Sequence, residues 1–233
     1  MLKSLKQWFF PHICCLCEHH TTHDLDLCSP CKISLPWITD RCYQCGVPLE
    51  AKVSSVYCQQ CIESPPKFDR LCALFSYEPP VTQLITKFKF GDQLAYGRIL
   101  GELLAEAVHQ VWYDGRALPE AVLPVPLHVS RLRQRGFNQS LELLGPLKKG
   151  GQIPILLNAC IRLRKTKPQA QLKQQYRQCN VSNAFGVSKP LPFKHIAIVD
   201  DVVTTGSTVN ALSEVLKKEG HVTSIDVCCI CRV

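Results

Sequence analysis

The stretch Ile196 to Thr208 reads IAIVDDVVTTGST, and the order of its residue types decides the fold. Four apolar residues, Ile196 to Val199, run without alternation, as in a strand buried on both faces of a parallel sheet. Two carboxylates, Asp200 and Asp201, stand where such a strand leaves the sheet. Thr204, Thr205, Gly206, Ser207 and Thr208 then make a loop of small and hydroxyl-bearing residues. Behind it, Val209, Leu212, Val215 and Leu216 recur at the spacing of an amphipathic helix. This order gathers backbone N–H groups, hydroxyls and a helix N-terminus around one anion-sized space.

A phosphate needs N–H and O–H donors, which Val203 to Thr208 supply, with Gly206 allowing close main-chain approach. Sugar hydroxyls need carboxylate acceptors, and Asp200 and Asp201 stand beside that pocket. A ribose bearing a 5-phosphate satisfies both demands. The competing interpretation is an ordinary strand–loop–helix of a doubly wound fold, in which an Asp at the strand end only caps. The stretch resembles, position for position, the thirteen-residue phosphoribosyl pyrophosphate (PRPP) motif of type I phosphoribosyltransferases. That resemblance implies an α/β fold, an open parallel sheet flanked by helices. It also implies that Asp200 and Asp201 are the catalytic pair holding the ribose 2- and 3-hydroxyls, that the loop holds the 5-phosphate, and that Mg²⁺ accompanies PRPP.

With 233 residues, 46% hydrophobic and 20% charged, the chain has room for one substantial domain and a small one. No apolar run approaches the ~20 residues that span a bilayer, and MLKSLKQWFFPHICCLC has no small-residue cleavage site after its short apolar run. No membrane span and a cytoplasmic location are therefore expected. The formal charge of +8 is uneven: His128 to Gln178 holds eleven Lys/Arg against one acid, Glu142, a local excess of +10 that calls for an anionic partner.

Eight of the fifteen cysteines form four C-x-x-C pairs: Cys14/Cys17, Cys28/Cys31, Cys42/Cys45 and Cys58/Cys61. In a reducing compartment such pairs are metal ligands, each turn offering two sulfurs to one ion. Four turns make two four-cysteine zinc sites with no open position for catalysis, which marks the ions as structural. One or two zinc ions are expected, paired sequentially or interleaved. A redox role is the alternative, disfavoured by the spacing. Residues 1–64 form this cysteine-rich double zinc ribbon, and Pro65-Pro66 opens a second domain, 65–233.

In that domain Arg70 to Tyr77 and Ala121 to Val125 have strand character, and helices are expected over Val81–Phe90 and Leu94–Trp112. Lys87 and Lys89 are expected to face solvent, one of them within reach of a phosphate. The turn after Val125 sets Arg131, Arg133 and Arg135 past a strand end, with Arg131 and Arg135 sharing a helix face. A continuation of that helix through Leu141–Gly151, a strand within Ile153–Leu163 and a final strand over His221–Arg232 complete the pattern. Cys228, Cys229 and Cys231 are small buried core residues.

The run PVPLHVSRLRQRGFNQS, together with VDDVVTTGST and the cysteine pairs, resembles the ComF family (competence protein F, also called the GntX group) over almost the whole chain. The resemblance implies that Val125, Pro126, Leu127 and His128 form the pyrophosphate loop. Arg135, Gly136, Phe137, Asn138 and Gln139 match the family signature, and Lys165, Thr166 and Gln171 match a mobile loop that closes over PRPP. Two functions follow. One is an enzyme moving ribosyl phosphate from PRPP to a nucleophile with release of pyrophosphate. The other is a non-catalytic single-stranded-DNA-binding factor, acting with competence proteins in natural transformation or in the use of DNA as nutrient. A PRPP-sensing scaffold without turnover is a third. Purine-salvage relatives carry an acid where Thr204 stands, so the resemblance does not extend to purine salvage and names no acceptor; no general base is evident.

Overall fold

The computed structural model describes residues 12–21, 25–49, 56–90, 93–149, 151, 153–164, 183–187 and 189–233. The cysteine-rich segment contributes a short antiparallel hairpin, β1 (His12–Ile13) and β2 (His20–Thr21), and two single-turn helices, α1 (Ser29–Ile33) and α2 (Gln59–Glu63). Then come β3 (Arg70–Ser76), α3 (Val81–Phe90) and α4 (Leu94–Ala107), followed by β4 (Ala121–Pro124). Three short helices follow, α5 (Val129–Arg135), α6 (Gln139–Glu142) and α7 (Gly145–Lys149). A two-stranded antiparallel pair, β5 (Cys160–Arg162) and β6 (Phe185–Val187), precedes β7 (His195–Val203), α8 (Ser207–Lys218) and β8 (Ser224–Arg232).

The four long apolar strands form one parallel sheet in the order β3-β8-β7-β4. Its two faces bury separate cores. One holds Leu84, Ile85 and Phe88 of α3 with Leu100, Leu103 and Leu104 of α4. The other holds Val209, Leu212 and Leu216 of α8 with Ile196, Ile198 and Val227 of the sheet. Apolar residues at i, i+3, i+4 and i+7 fix each helix face, so the sheet is covered on both sides, as parallel strands require. The architecture is α/β and consistent with a type I phosphoribosyltransferase-like fold.

The ribbon segment closes the β3 edge. Ile38 N–H donates to the Leu74 carbonyl at 2.9 Å, Ser76 N–H donates to the Pro36 carbonyl at 3.0 Å, and the Trp37 ring lies 4.6 Å from that of Phe75. Cys14, Leu27 and Leu35 are buried in the same core as α3 and α4. An otherwise open edge strand is thereby paired and covered.

Three expectations need correction. β7 does not end at Val199 but runs through both aspartates to Val203, because β8 is equally long and apolar and keeps pairing with it through Cys229 and Cys231. The helix over Leu94–Trp112 turns to π geometry from Val108. The helix expected to continue from the arginines stops at Gly136, where the chain turns left-handed, and restarts twice as α6 and α7. Cys228, Cys229 and Cys231 are buried as expected. Among the described residues, no helix is long and apolar enough to cross a membrane.

Candidate functional site

The carboxyl ends of all four sheet strands open into one cleft of about 430 Å³. Tyr77 follows β3, Val125 and Leu127 follow β4, Asp200 to Val203 end β7, and Val233 follows β8. Ligands of open α/β sheets bind at this end. Thr204 to Val209 form the hydroxyl-rich side of the cleft, where Gly206 (φ +75) turns the chain into α8. A side chain there would be strained, and the residue before the helix thus presents bare main chain. Thr205 and Ser207 hydroxyls lie 2.7 Å apart. Val203 is buried and offers only its backbone.

The acidic pair is held from two directions. Asp201 meets Lys89 of α3, with Nζ 2.8 Å from Oδ2. Asp200 accepts from the Ser140 hydroxyl of α6 at 3.1 Å and from the Asp201 N–H at 2.9 Å. Burial, reinforced by the charge of Asp201, pushes the Asp200 carboxyl up to about 7, against the opposing pull of Lys89, the Asp201 N–H and Ser140. Lys89, expected in solvent, is thus the counter-charge of the pair.

Arg131 and Arg135 line the cleft from α5, while Arg133 is exposed on its other side. Arg162 of β5 joins them, its guanidinium 5.3 Å from the centre of the Phe185 ring. Burial, with the charge of Arg131 adding to it, lowers Arg162 to about 10 although Asp200 pulls the other way. Arg162 is the cleft cation that sequence reasoning missed, and Lys89, one of two lysines expected in solvent with one in reach of a phosphate, turns into the cleft. Both lie in basic runs, and only the tertiary fold turns them inward.

The signature residues have structural roles around this cleft. Asn138 Nδ2 donates to the Val125 carbonyl at 3.1 Å, and its Oδ1 accepts the Ser140 N–H at 3.1 Å. One side chain therefore caps α6 and pins the loop after β4. Arg135 donates to Gln139 Oε1 at 2.9 Å, and Phe137 packs on Phe88 with ring centres 5.6 Å apart. His128 Nδ1 caps α5 by accepting from Ser130 N–H at 3.2 Å. Pro126 lies between Val125 and Leu127 in this loop. Lys165, Thr166 and Gln171 lie outside the described residues.

The four cysteine pairs form two metal sites, Cys14/Cys17/Cys28/Cys31 and Cys42/Cys45/Cys58/Cys61, with the sulfurs of each within 4.8 Å of one another. Sequential pairing is thus the arrangement adopted. Cys17 and Cys28 sulfurs are 3.7 Å apart, and those of Cys45 and Cys58 3.6 Å. A tetrahedron with Zn–S near 2.3 Å has an edge of about 3.8 Å, so both sets fit zinc. Burial opposes ionisation of Cys14, but N–H groups of Cys28, Cys17 and Leu16 draw it down to about 6. Burial likewise opposes Cys42, which N–H groups of Cys45, Cys58 and Gln44 draw down to about 7. Burial, with the neighbouring sulfurs, pushes Cys31, Cys45 and Cys61 upward, so the protein draws one sulfur of each site toward the thiolate and the charge of a bound zinc would have to hold the others there.

A family model described as a double zinc ribbon domain matches residues 5–62. The chain is 36% identical to "DNA utilization protein YhgH" of Shigella flexneri, over 95% of this chain and 97% of that one. It is 37% identical to "Competence protein F" of Haemophilus influenzae, over 83% and 85% of the two chains. It is 23% identical to "Competence protein ComFC" of Bacillus subtilis, over 91% and 92%.

Proposed function

Because the chain belongs to the ComF family of competence and DNA-utilization proteins, we propose that its cleft binds PRPP with Mg²⁺ and transfers the ribosyl phosphate to a nucleophile during DNA uptake or use. The observation that carries this reading is the meeting of Asp200, Asp201, Thr204 to Thr208 and three arginines in one cleft. In the reading, residues 1–64 are the zinc-ribbon module and 65–233 the phosphoribosyltransferase-like domain, working in the cytoplasm where thiols stay reduced.

Thr205 and Ser207 hydroxyls and the first amides of α8 receive the 5-phosphate. Asp200 and Asp201 accept from the ribose 2- and 3-hydroxyls and hold negative charge beside the ring as the C1–O bond to pyrophosphate breaks. The bond's electron pair leaves with pyrophosphate, the nucleophile bonds to C1, and its proton passes to solvent. Arg131, Arg135 and Arg162 face the leaving group's charge. Mg²⁺, for which the carboxylates and pyrophosphate oxygens are suitable hard donors, neutralises that charge when bound. Val125 to His128 form the pyrophosphate loop in this reading. Transfer is tested by following pyrophosphate release from PRPP and Mg²⁺ across a panel of nucleobases and amines. Acceptor-dependent release supports transfer; PRPP binding with no release from any acceptor reduces the function to ligand sensing.

A second reading, single-stranded DNA binding without turnover, is favoured by the +10 excess over His128 to Gln178 and by the relatives' names. It requires oligonucleotide affinity that falls steeply with salt, and D200N/D201N should leave that affinity intact.

A further inference from the structure

Arg232, at the end of β8, is 9% exposed and joins two parts of the molecule that the sequence keeps far apart. Its Nε donates to the carbonyl of Cys45, a ligand of the second zinc site, at 2.9 Å. Its Nη1 faces three carbonyls, those of Val203, at 3.3 Å, of Thr204, at the start of the hydroxyl-rich loop, and of Val233. The planar guanidinium fixes both directions at once.

Two further contacts run the same way. Gly46 (φ +68) lies so close to β3 that a Cβ would stand 2.4 Å from Leu71 Cδ2, so the Cys42–Cys45 turn rests on the sheet without slack. Beyond Cys61, the Lys67 N–H donates to Asn210 Oδ1 in the first turn of α8 at 2.6 Å. A cavity of about 110 Å³ between them is lined by Cys45, Cys61, Phe68, Thr205, Gly206 and Arg232. The first zinc site makes its connections elsewhere, through Cys14 in the core of α3 and α4 and through Lys32 to Glu106 of α4 at 2.6 Å.

We propose that Arg232 is a positioning residue that transmits the geometry of the second zinc site to the phosphate loop, so that zinc bound by Cys42, Cys45, Cys58 and Cys61 sets the loop's readiness for a phosphate. The ligand side of this inference rests on the PRPP reading above; the coupling itself does not. Without the ion, the Cys42–Cys45 turn has little core of its own to hold the Cys45 carbonyl in place. Arg232 then keeps its contacts with the Val203, Thr204 and Val233 carbonyls but loses the Cys45 carbonyl, the contact that ties them to the zinc site.

The test uses the full chain with both zinc sites filled, and follows amide hydrogen exchange over residues 203–208 beside zinc content. R232K keeps the charge but not the fork. It should retain two zinc ions per chain, exchange its loop amides about tenfold faster, as expected for the loss of about one hydrogen bond to a charged donor, and bind PRPP–Mg²⁺ about tenfold more weakly. C58S should reproduce the faster loop exchange, while C28S, in the first site, should not. If C58S fails to fold, partial zinc removal from the folded proteins decides: it should speed loop exchange in the wild type and add nothing in R232K, and no effect on the wild-type loop overturns the proposal. Unchanged loop exchange in R232K overturns the proposal, and so does equal acceleration by C28S and C58S. Faster exchange in both R232K and C58S when the wild type binds no PRPP upholds the coupling and overturns the PRPP reading instead.

Discussion

The ammonium nitrogen of Lys89, near the end of α3, lies 2.8 Å from Oδ2 of Asp201. A helix more than a hundred residues upstream in sequence therefore supplies the counter-charge for the acidic pair. Lys89 also draws the Asp200 carboxyl downward against burial and Asp201. K89M should raise the pH midpoint of Asp200 above about 7 and weaken PRPP–Mg²⁺ binding at pH 7 by about tenfold, read by titration calorimetry across pH.

Asp200 itself gives a pH dependence of known sign. Its folded carboxyl titrates at about 7, above the unfolded value near 4, so the folded state holds the extra proton between these limits. Stability falls as pH rises through that window, whereas affinity for a ligand that needs the carboxylate rises. D200N should therefore raise the melting temperature at pH 8 by roughly 2–4 °C, for about 1 kcal/mol, while abolishing the pH dependence of binding. Calorimetric scans at pH 5 and pH 8 check the first effect.

Asp226 behaves oppositely. Burial opposes its ionisation, but hydrogen bonds from His195, Arg70 and Tyr113 hold its carboxyl at about 2. Its contribution is present above the unfolded value near 4 and is lost as pH falls toward about 2. D226N leaves the buried Arg70 without its partner at 2.7 Å. The melting temperature at pH 7 should fall by roughly 6–12 °C, for about 3 kcal/mol, and acid unfolding between pH 4 and 2 should lose steepness.

Asn138 joins a helix cap to a loop anchor. N138A loses both and should cost about 2 kcal/mol. N138D keeps the cap acceptor but not the donor to Val125, and should recover about half of that. Denaturant midpoints at constant slope separate the two contributions.

The first zinc site shares a core with the sheet, since Cys14, Leu27 and Leu35 pack with the side chains of α3 and α4, and the second is tied to it by the Arg232 bond to the Cys45 carbonyl. Metal analysis should find two zinc ions per chain. A strong chelator should lower the melting temperature of the whole protein in one transition, rather than removing a separate low-temperature step.

The parts written in local sequence were legible in advance. The cysteine pairs announce their sites because four ligands at fixed spacing leave few alternatives, and IAIVDDVVTTGST announces a strand, an acidic pair and a loop. The length of β7 was not legible, because Asp200 and Asp201 oppose strand propensity and only pairing with β8 carries the strand through them. Lys89 and Arg162 look like solvated basic residues until the fold turns them toward the cleft. Arg232 reads as the polar end of a last strand, and its bond to Cys45 spans 187 residues. Asn138 was singled out by its motif, yet its two hydrogen bonds are tertiary facts.

The central claim is that Asp200, Asp201 and the phosphate loop form a PRPP site. The most direct measurement is calorimetric titration of PRPP with Mg²⁺ into the zinc-loaded protein, beside a folded D200N/D201N double variant. Saturable heat in the wild type, lost in the double variant, is the predicted result. No binding by the folded, zinc-loaded wild type, or equal binding by both proteins, would contradict it.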